Sequence, residues 1–315
     1  MKNITEIYVG VDVAKKHLDI HLYPTEKTAS FANSHDGVKE IIKLLSAYSV
    51  GQIVCESTGG YEDLMLKILR EANYKVWQVE PNRIKSFIRS KGRKAKTDAI
   101  DARMIALFAA RETPEHDYVD YGENAKIIHD LVKRRRDLTA MIVAEKQRLK
   151  HPSQVNCFTE IQELVAFMEE QRDKLNKRIN QLIDEDDNFS KKVKIIESVP
   201  GVGKATAAML IAELPELGNM ENKKAAALVG VAPYTQQSGQ YRGKAFISGG
   251  RSEVRSAIFM AALVASQHNT ILKKFYRRLC DESKKAPKVA LVAVMRKLVT
   301  ILNTMVKNET MWRYA

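Results

Sequence analysis

The sequence predicts an α/β N-terminal domain, a long helical arm and a mainly helical C-terminal domain. Three observations predict it. Residues 1 to about 115 alternate short β-branched runs with stretches of helical apolar spacing. From about 125 to 183 the chain is polar and helically periodic, with no glycine between Gly122 and Gly201. Beyond 191, small residues and helical apolar stripes surround a glycine-rich middle running from Gly230 to Gly250. The boundaries expected on this basis are 1–122, 123–190 and 191–315.

In the first domain, strands are expected at 7–13, 18–23, 29–32, 52–56 and 76–79. Helices are expected near 38–48, 61–72, 81–88 and 98–110. Three early strands in hairpin succession, followed by β–α alternation, suggest a mixed sheet with helices on its faces. That is the strand order expected of a ribonuclease H-type fold. In the arm, Ile127, Leu131, Leu138, Met141 and Ile142 keep helical spacing, as do Ile161, Leu164, Phe167 and Met168. Leu175, Ile179, Leu182 and Ile183 extend the second stripe, and Pro152 separates two helices that pack as an antiparallel, coiled-coil arm. The block Lys133-Arg134-Arg135-Arg136 reads as a solvated face, with nucleic-acid binding as the sharper option. Two apolar helices are expected near 253–266 and 288–306.

Composition narrows the function classes. Fifty-one basic residues against 38 acidic ones leave a net charge of +13 over 315 residues. Such an excess favours a polyanionic partner, because Lys and Arg neutralise phosphates and release counterions. Cys55, Cys157 and Cys280 form neither a zinc pattern nor a disulfide framework, which suits a reducing cytosol. The start of the chain shows no signal-peptide pattern, and the apolar stretches at 257–265 and 289–295 are shorter than a membrane span. A cytoplasmic protein with no membrane partner is expected.

Four acids stand out. Asp12 lies in the apolar run Ile7-Tyr8-Val9-Gly10-Val11-Asp12-Val13, and Glu56 ends Ile53-Val54-Cys55-Glu56. A carboxylate in a buried strand is unfavourable unless a cation compensates it. Asp98 and Asp101, three apart at a helix start, face one way. Each has a bland reading: Asp98 and Asp101 suit a helix N-terminus, Asp12 can pair with Lys15 or Lys16, and Glu56 can cap the helix near Tyr61. Together, hard oxygen ligands from separate elements suit Mg²⁺ and phosphoryl transfer.

Directly before the helical pair, Arg83, Lys85, Arg89, Lys91, Arg93, Lys94 and Lys96 place seven cations in sixteen residues, either a phosphate-contact surface or a solvated basic loop. Pro200-Gly201-Val202-Gly203-Lys204 matches the turn of a helix-hairpin-helix, whose glycines approach a phosphate and whose helix-start amides donate to it. It is also an ordinary helix–helix turn. Ser238 sits beside Gly239 with Arg242, Lys244, Arg251 and Arg255 nearby, a hydroxyl among cations or a routine turn. Tyr234, Tyr241 and Ser248 are rival nucleophiles.

In this order the motifs resemble the DEDD transposases of insertion sequence family 110, relatives of the Piv-type DNA invertases. The matching residues are Val9-Gly10-Val11-Asp12-Val13-Ala14-Lys15, Cys55-Glu56-Ser57-Thr58-Gly59 and Lys96-Thr97-Asp98-Ala99-Ile100-Asp101-Ala102-Arg103. Later come Ser198-Val199-Pro200-Gly201-Val202-Gly203, Gly230-Val231-Ala232-Pro233, Gln237-Ser238-Gly239 and Gly249-Gly250-Arg251 with Val254-Arg255. The lysine that often follows the Ile-Ser pair in the family is absent from Phe246-Ile247-Ser248-Gly249. The resemblance implies a RuvC-like domain holding Asp12, Glu56, Asp98 and Asp101 around Mg²⁺, and a transposase domain in which Ser238 is the nucleophile. It further implies donor and target DNA as substrates, a structured guide RNA encoded by the element, a covalent phosphoserine, and a dimer or tetramer sharing active sites between subunits. The alternatives are a RuvC-like junction nuclease using metal-activated water, a non-catalytic nucleic-acid-binding protein and a sugar-kinase-type ATPase, for which the later phosphate motifs are missing.

Overall fold

The N-terminal sheet is built on a strand buried from both sides. β1 (Glu6–Val13) sends Ile7, Val9, Val11 and Val13 to one face and Tyr8, Gly10 and Asp12 to the other. In the computed structural model, which describes residues 6–91, 98–112, 122–235, 237–238, 241–243 and 245–313, β1 is the central strand of five. At 98–100, 152, 154, 155, 237, 238, 241 and 242 the description is of the backbone alone. β2 (His17–Tyr23) and β3 (Lys27–Ala32) follow as an antiparallel meander. After α1 (His35–Leu45), β4 (Ser49–Glu56) returns parallel to β1. α2 (Asp63–Glu71) then leads to β5 (Val76–Val79), parallel to β4, giving the order β3-β2-β1-β4-β5.

One face of the sheet packs its β-branched residues against Val38, Ile41 and Leu45 of α1 and Met65, Leu66 and Leu69 of α2. The other carries Val54 and Val79 against Ile84 of α3 (Pro81–Ser90) and Ile105, Phe108 and Ala109 of α4 (Asp98–Arg111). Covering both faces explains why β1 and β4 read as continuous apolar runs. The mixed sheet with helices on its faces is the architecture expected.

The chain forms two units, Met1–Asp120 and Tyr121–Ala315. The second opens with α5 (Gly122–Leu149), a short 3-10 turn over Pro152–Cys157 and α6 (Phe158–Asp184). Leu138 and Ile142 of α5 pack on Ile161, Val165 and Met168 of α6. The buried stripe therefore differs from the expected one: Met141, Leu164 and Phe167 are exposed, and Ile128 and Val132 are buried. Ile128, Val132, Ile179 and Ile183 join the core of the helices that follow.

Those helices are α7 (Asp187–Glu197), α8 (Lys204–Glu213), α9 (Asn222–Val229), α10 (Ser252–His268), α11 (Thr270–Arg277) and α12 (Pro287–Lys307). A π-helical turn, Arg278–Glu282, follows α11. α12 is long and apolar enough to cross a membrane by length and composition, contrary to the short stretch expected. Its Leu291, Val294, Met295, Leu298 and Leu302 are buried in the helical core, which accounts for the apolarity. Between α9 and α10 run four two-residue strands, β6 (Pro233–Tyr234), β7 (Gln237–Ser238), β8 (Tyr241–Arg242) and β9 (Phe246–Ile247).

Candidate active site

Gly10 brings α4 onto the sheet. A Cβ on Gly10 would lie 2.2 Å from the Ala102 carbonyl oxygen and 2.2 Å from the Ala106 nitrogen. Only glycine lets the helix backbone approach that closely. Asp12 is two residues beyond Gly10 on the same strand face, and Asp101 directly precedes Ala102. Glu56 joins them through sheet register: Gly10 pairs with Val54 and Val11 with Cys55, so Asp12 and Glu56 stand at the C-terminal ends of neighbouring parallel strands, Asp12 one residue before the last of β1. Val54, two residues before Glu56, is packed on the α4 side. Asp12, Glu56 and Asp101 are each half-buried, and each has interaction partners. The ends of two parallel strands and the start of one helix thus bring three of the four predicted acids to one edge of the sheet. The side chain of Asp98 lies outside the described residues.

The donor set is all carboxylate oxygen, the chemistry a hard divalent cation takes. Among the described residues, no group of three or more Asp, Glu, His or Cys side chains is gathered closely enough to hold a metal ion. Asp19 stands opposite Asp12 on β2, with its carboxylate 3.4 Å from His17 Nε2.

Glu62, which sequence reasoning passed over, is buried just beyond the end of β4. It accepts hydrogen bonds from the Thr58 amide (3.0 Å), the Thr58 hydroxyl (2.6 Å), the Gly60 amide (2.9 Å), Gln78 Nε2 (2.7 Å) and the Ser57 hydroxyl (3.3 Å). Burial pushes its pKa up, but the donors from Thr58 and Gly60 outweigh burial and hold it below the ordinary glutamate value. The loop leaving Glu56 is thus wrapped around a fixed negative charge and tied to β5. Gly59 and Gly60, both at positive φ, turn the chain back to place it there. Glu62, not Glu56, is the N-cap residue of α2. The neighbouring Cys55 thiol is pushed up to about 12 by burial and is inert.

The predicted cations divide. Arg83 stacks over Trp77 at 4.9 Å and lies 3.7 Å from Glu112, so its guanidinium is engaged within the fold. Lys91 lies 5.1 Å from the Phe87 ring centroid. Lys85 and Arg89 are exposed. Arg93, Lys94 and Lys96 lie outside the described residues.

In the second unit, Pro200–Gly203 forms the turn between α7 and α8. Gly201 has φ +102, and a Cβ there would strike Ala265 of α10 at 2.6 Å, so this glycine serves helix packing. Gly203, the N-cap residue of α8, faces open space. Lys204 lies 3.6 Å from Asp184.

Ser238 lies in a two-tier hairpin. β6 pairs with β9 at the base (Tyr234 with Phe246), and β7 pairs with β8 toward the tip (Ser238 with Tyr241). The side chains of Ser238 and Arg242 lie outside the described residues; Tyr234 and Ser248 are exposed. Below the base, a Cβ on Gly250 would lie 2.3 Å from the Gly230 nitrogen, and the Arg251 amide donates to the Leu228 carbonyl at 2.8 Å. The Arg251 guanidinium grips both oxygens of Glu216, at 2.7 and 2.8 Å, and donates to the Glu213 carbonyl. Burial raises the Glu216 pKa, and Arg251 more than reverses it. Arg255 donates to the Gly249 carbonyl at 2.5 Å. Both ends of the Ser238 segment are thereby fixed to the helical core.

Two family models match this chain. One, the transposase model DEDD_Tnp_IS110, covers residues 9–152; the other, Transposase IS116/IS110/IS902 family, covers residues 193–277. The chain belongs to the IS110 family of transposases. The first match takes in Asp12, Glu56 and Asp101, and the second takes in the hairpin of Ser238. Two curated relatives are similar along the whole length: the pilin gene-inverting proteins of Moraxella bovis and Moraxella lacunata. Each is 27% identical over 317 residues, covering 97% of this chain and 97% of the relative. Membership in this family makes the protein a DNA recombinase or transposase.

Proposed function

We propose that this transposase joins donor and target DNA by metal-dependent strand cleavage and exchange through a covalent phosphoserine at Ser238, guided by a structured RNA. The observation that carries the reading is the edge where Asp12 and Glu56 lie at the C-terminal ends of adjacent strands and Gly10 admits the helix bearing Asp101. The strand order 3-2-1-4-5 supports a RuvC-like, ribonuclease H-type fold for this unit, and the α7–α8 turn supports a helix-hairpin-helix.

Asp12, Glu56, Asp98 and Asp101 are the residues to hold Mg²⁺, which when bound supplies charge neutralisation at a phosphate oxygen. Ser238 Oγ forms a bond to phosphorus as the bridging deoxyribose oxygen leaves carrying the serine proton. One phosphoester replaces another, so attack by a second deoxyribose hydroxyl regenerates the serine and rejoins DNA without ATP. Base pairing by the RNA selects donor and target, while the protein contacts backbone. A dimer or tetramer completes the assembly. The test is recombination between donor and target with the guide RNA. Asp12→Asn is expected to abolish both cleavage and joining, and Ser238→Ala to abolish joining. Recombination at the normal rate by Ser238→Ala would remove the serine from the mechanism.

A further inference from the structure

The turn joining α11 to α12 carries a concentration of charge that the proposed active site does not use. Lys273, Lys274, Arg277, Arg278, Lys284, Lys285 and Lys288 place seven cations against two acids, Asp281 and Glu282, over sixteen residues. Residues 281–289 are all exposed, as are Lys274, Arg277 and Arg278. Some cations elsewhere in this unit are neutralised within the fold, Arg136 near Glu253, Lys204 near Asp184 and Arg251 on Glu216. Among the described residues, none of the seven is in an ion pair.

Parts of the arrangement are unfavourable to the fold, although Lys274 and Arg277 suit the last turn of α11. Lys273 and Arg277 are a like-charge pair four apart on α11, destabilising by a few tenths of a kcal/mol. Lys288 sits in the first turn of α12, which holds no acid, at the end of the helix where positive charge is disfavoured. The backbone nonetheless holds the group in one shape. The Ser283 amide donates to the Arg278 carbonyl (3.1 Å), the Lys285 amide to Leu279 (2.9 Å), and Lys284 takes φ +48. Phe275 lies beneath two cations, Arg278 at 5.4 Å and Lys297 at 4.5 Å.

We infer that the α11–α12 turn is a second DNA contact, built of residues other than the acids and the Ser238 hairpin, which grips the phosphate backbone of duplex DNA without reading its sequence. The choice of duplex DNA rests on the reading of the chain as a DNA recombinase; the charge and its fixed presentation do not.

The test is duplex binding by the full-length protein, followed by fluorescence anisotropy across a salt series. Lys274→Ala, Arg277→Ala, Lys284→Ala and Lys285→Ala are combined in one variant. A control removes the same charge from α1, α2 and the approach to β5, as Lys39→Ala, Lys43→Ala, Lys67→Ala and Lys75→Ala. Each lost phosphate contact lowers the slope of log affinity against log salt by about 0.9. The turn variant is therefore expected to lose up to about 3.6 from the slope, and the control less than about one. Equal slopes and affinities in the two variants would overturn the inference. So would a loss confined to single-stranded RNA of the same length. Because the readout is binding, a protein that loses slope as predicted yet never recombines would sink the recombinase reading and leave this contact standing.

Discussion

A buried carboxylate keeps its charge only when donors replace the water it has lost, and Glu62 meets that condition with five hydrogen bonds. Its pKa is lower in the folded chain than in the unfolded one. It therefore stabilises the fold above the ordinary glutamate range, and that contribution is lost as pH falls through the folded value. Glu62→Gln presents an amide to the donors of Thr58 and Gly60. We expect it to destabilise the N-terminal unit by roughly 1–3 kcal/mol and to flatten the decline in stability below about pH 5. Urea titrations of both proteins across that range check it; parallel pH profiles would contradict the role. Asp12 and Glu56 were legible because a carboxylate closing an apolar run is an anomaly in the sequence itself. Glu62 was not, because its burial depends on Gln78, sixteen residues away on β5. Likewise Arg83 and Arg251 were visible as cations, whereas the partners that engage them, Trp77 and Glu216, come from distant parts of the chain.

At the scale of elements, two close approaches shape the candidate site. Gly10 admits α4, and since a Cβ there meets helix backbone on two sides, the strain cannot relax by a side-chain rotation. Gly10→Ala is expected to cost about 1–3 kcal/mol and to reduce cleavage out of proportion to its stability loss, as measured by single-turnover assays beside thermal melts. The second approach is the junction of Gly230 with Gly250 beneath the Ser238 hairpin, braced by Arg251 and Glu216. Releasing that brace with Glu216→Gln should slow serine–DNA adduct formation on the order of 100-fold, the penalty of small misplacements in an active site. Its Mg²⁺ dependence should stay unchanged; a shifted Mg²⁺ dependence would place Glu216 in another role. The sheet strands were readable because β1 and β4 are apolar on both faces. The two-residue strands β6 to β9 were not, since so short a pairing has no periodicity. In the arm, apolar residues occupy adjacent helical positions, so spacing alone left open which of Leu131 and Val132, or Met141 and Ile142, faces inward.

For the whole molecule, the residues of the proposed chemistry fall in two units: the acids in Met1–Asp120, and Ser238 in Tyr121–Ala315. One family model, over residues 9–152, takes in most of the first unit and reaches into the second; the other, over 193–277, lies wholly in the second, and the pilin gene-inverting proteins are similar across both. A net charge of +13 fits a protein whose partners are polyanions. The central claim is that acids and serine act on one phosphodiester, and the most direct measurement is a trapping assay. Protein, guide RNA, Mg²⁺ and end-labelled donor and target DNA are combined and resolved on a denaturing gel beside Asp12→Asn and Ser238→Ala. The account predicts a labelled protein–DNA adduct that disappears in both variants. Cleaved DNA with no adduct, unchanged in Ser238→Ala, would contradict it and point to hydrolysis by water.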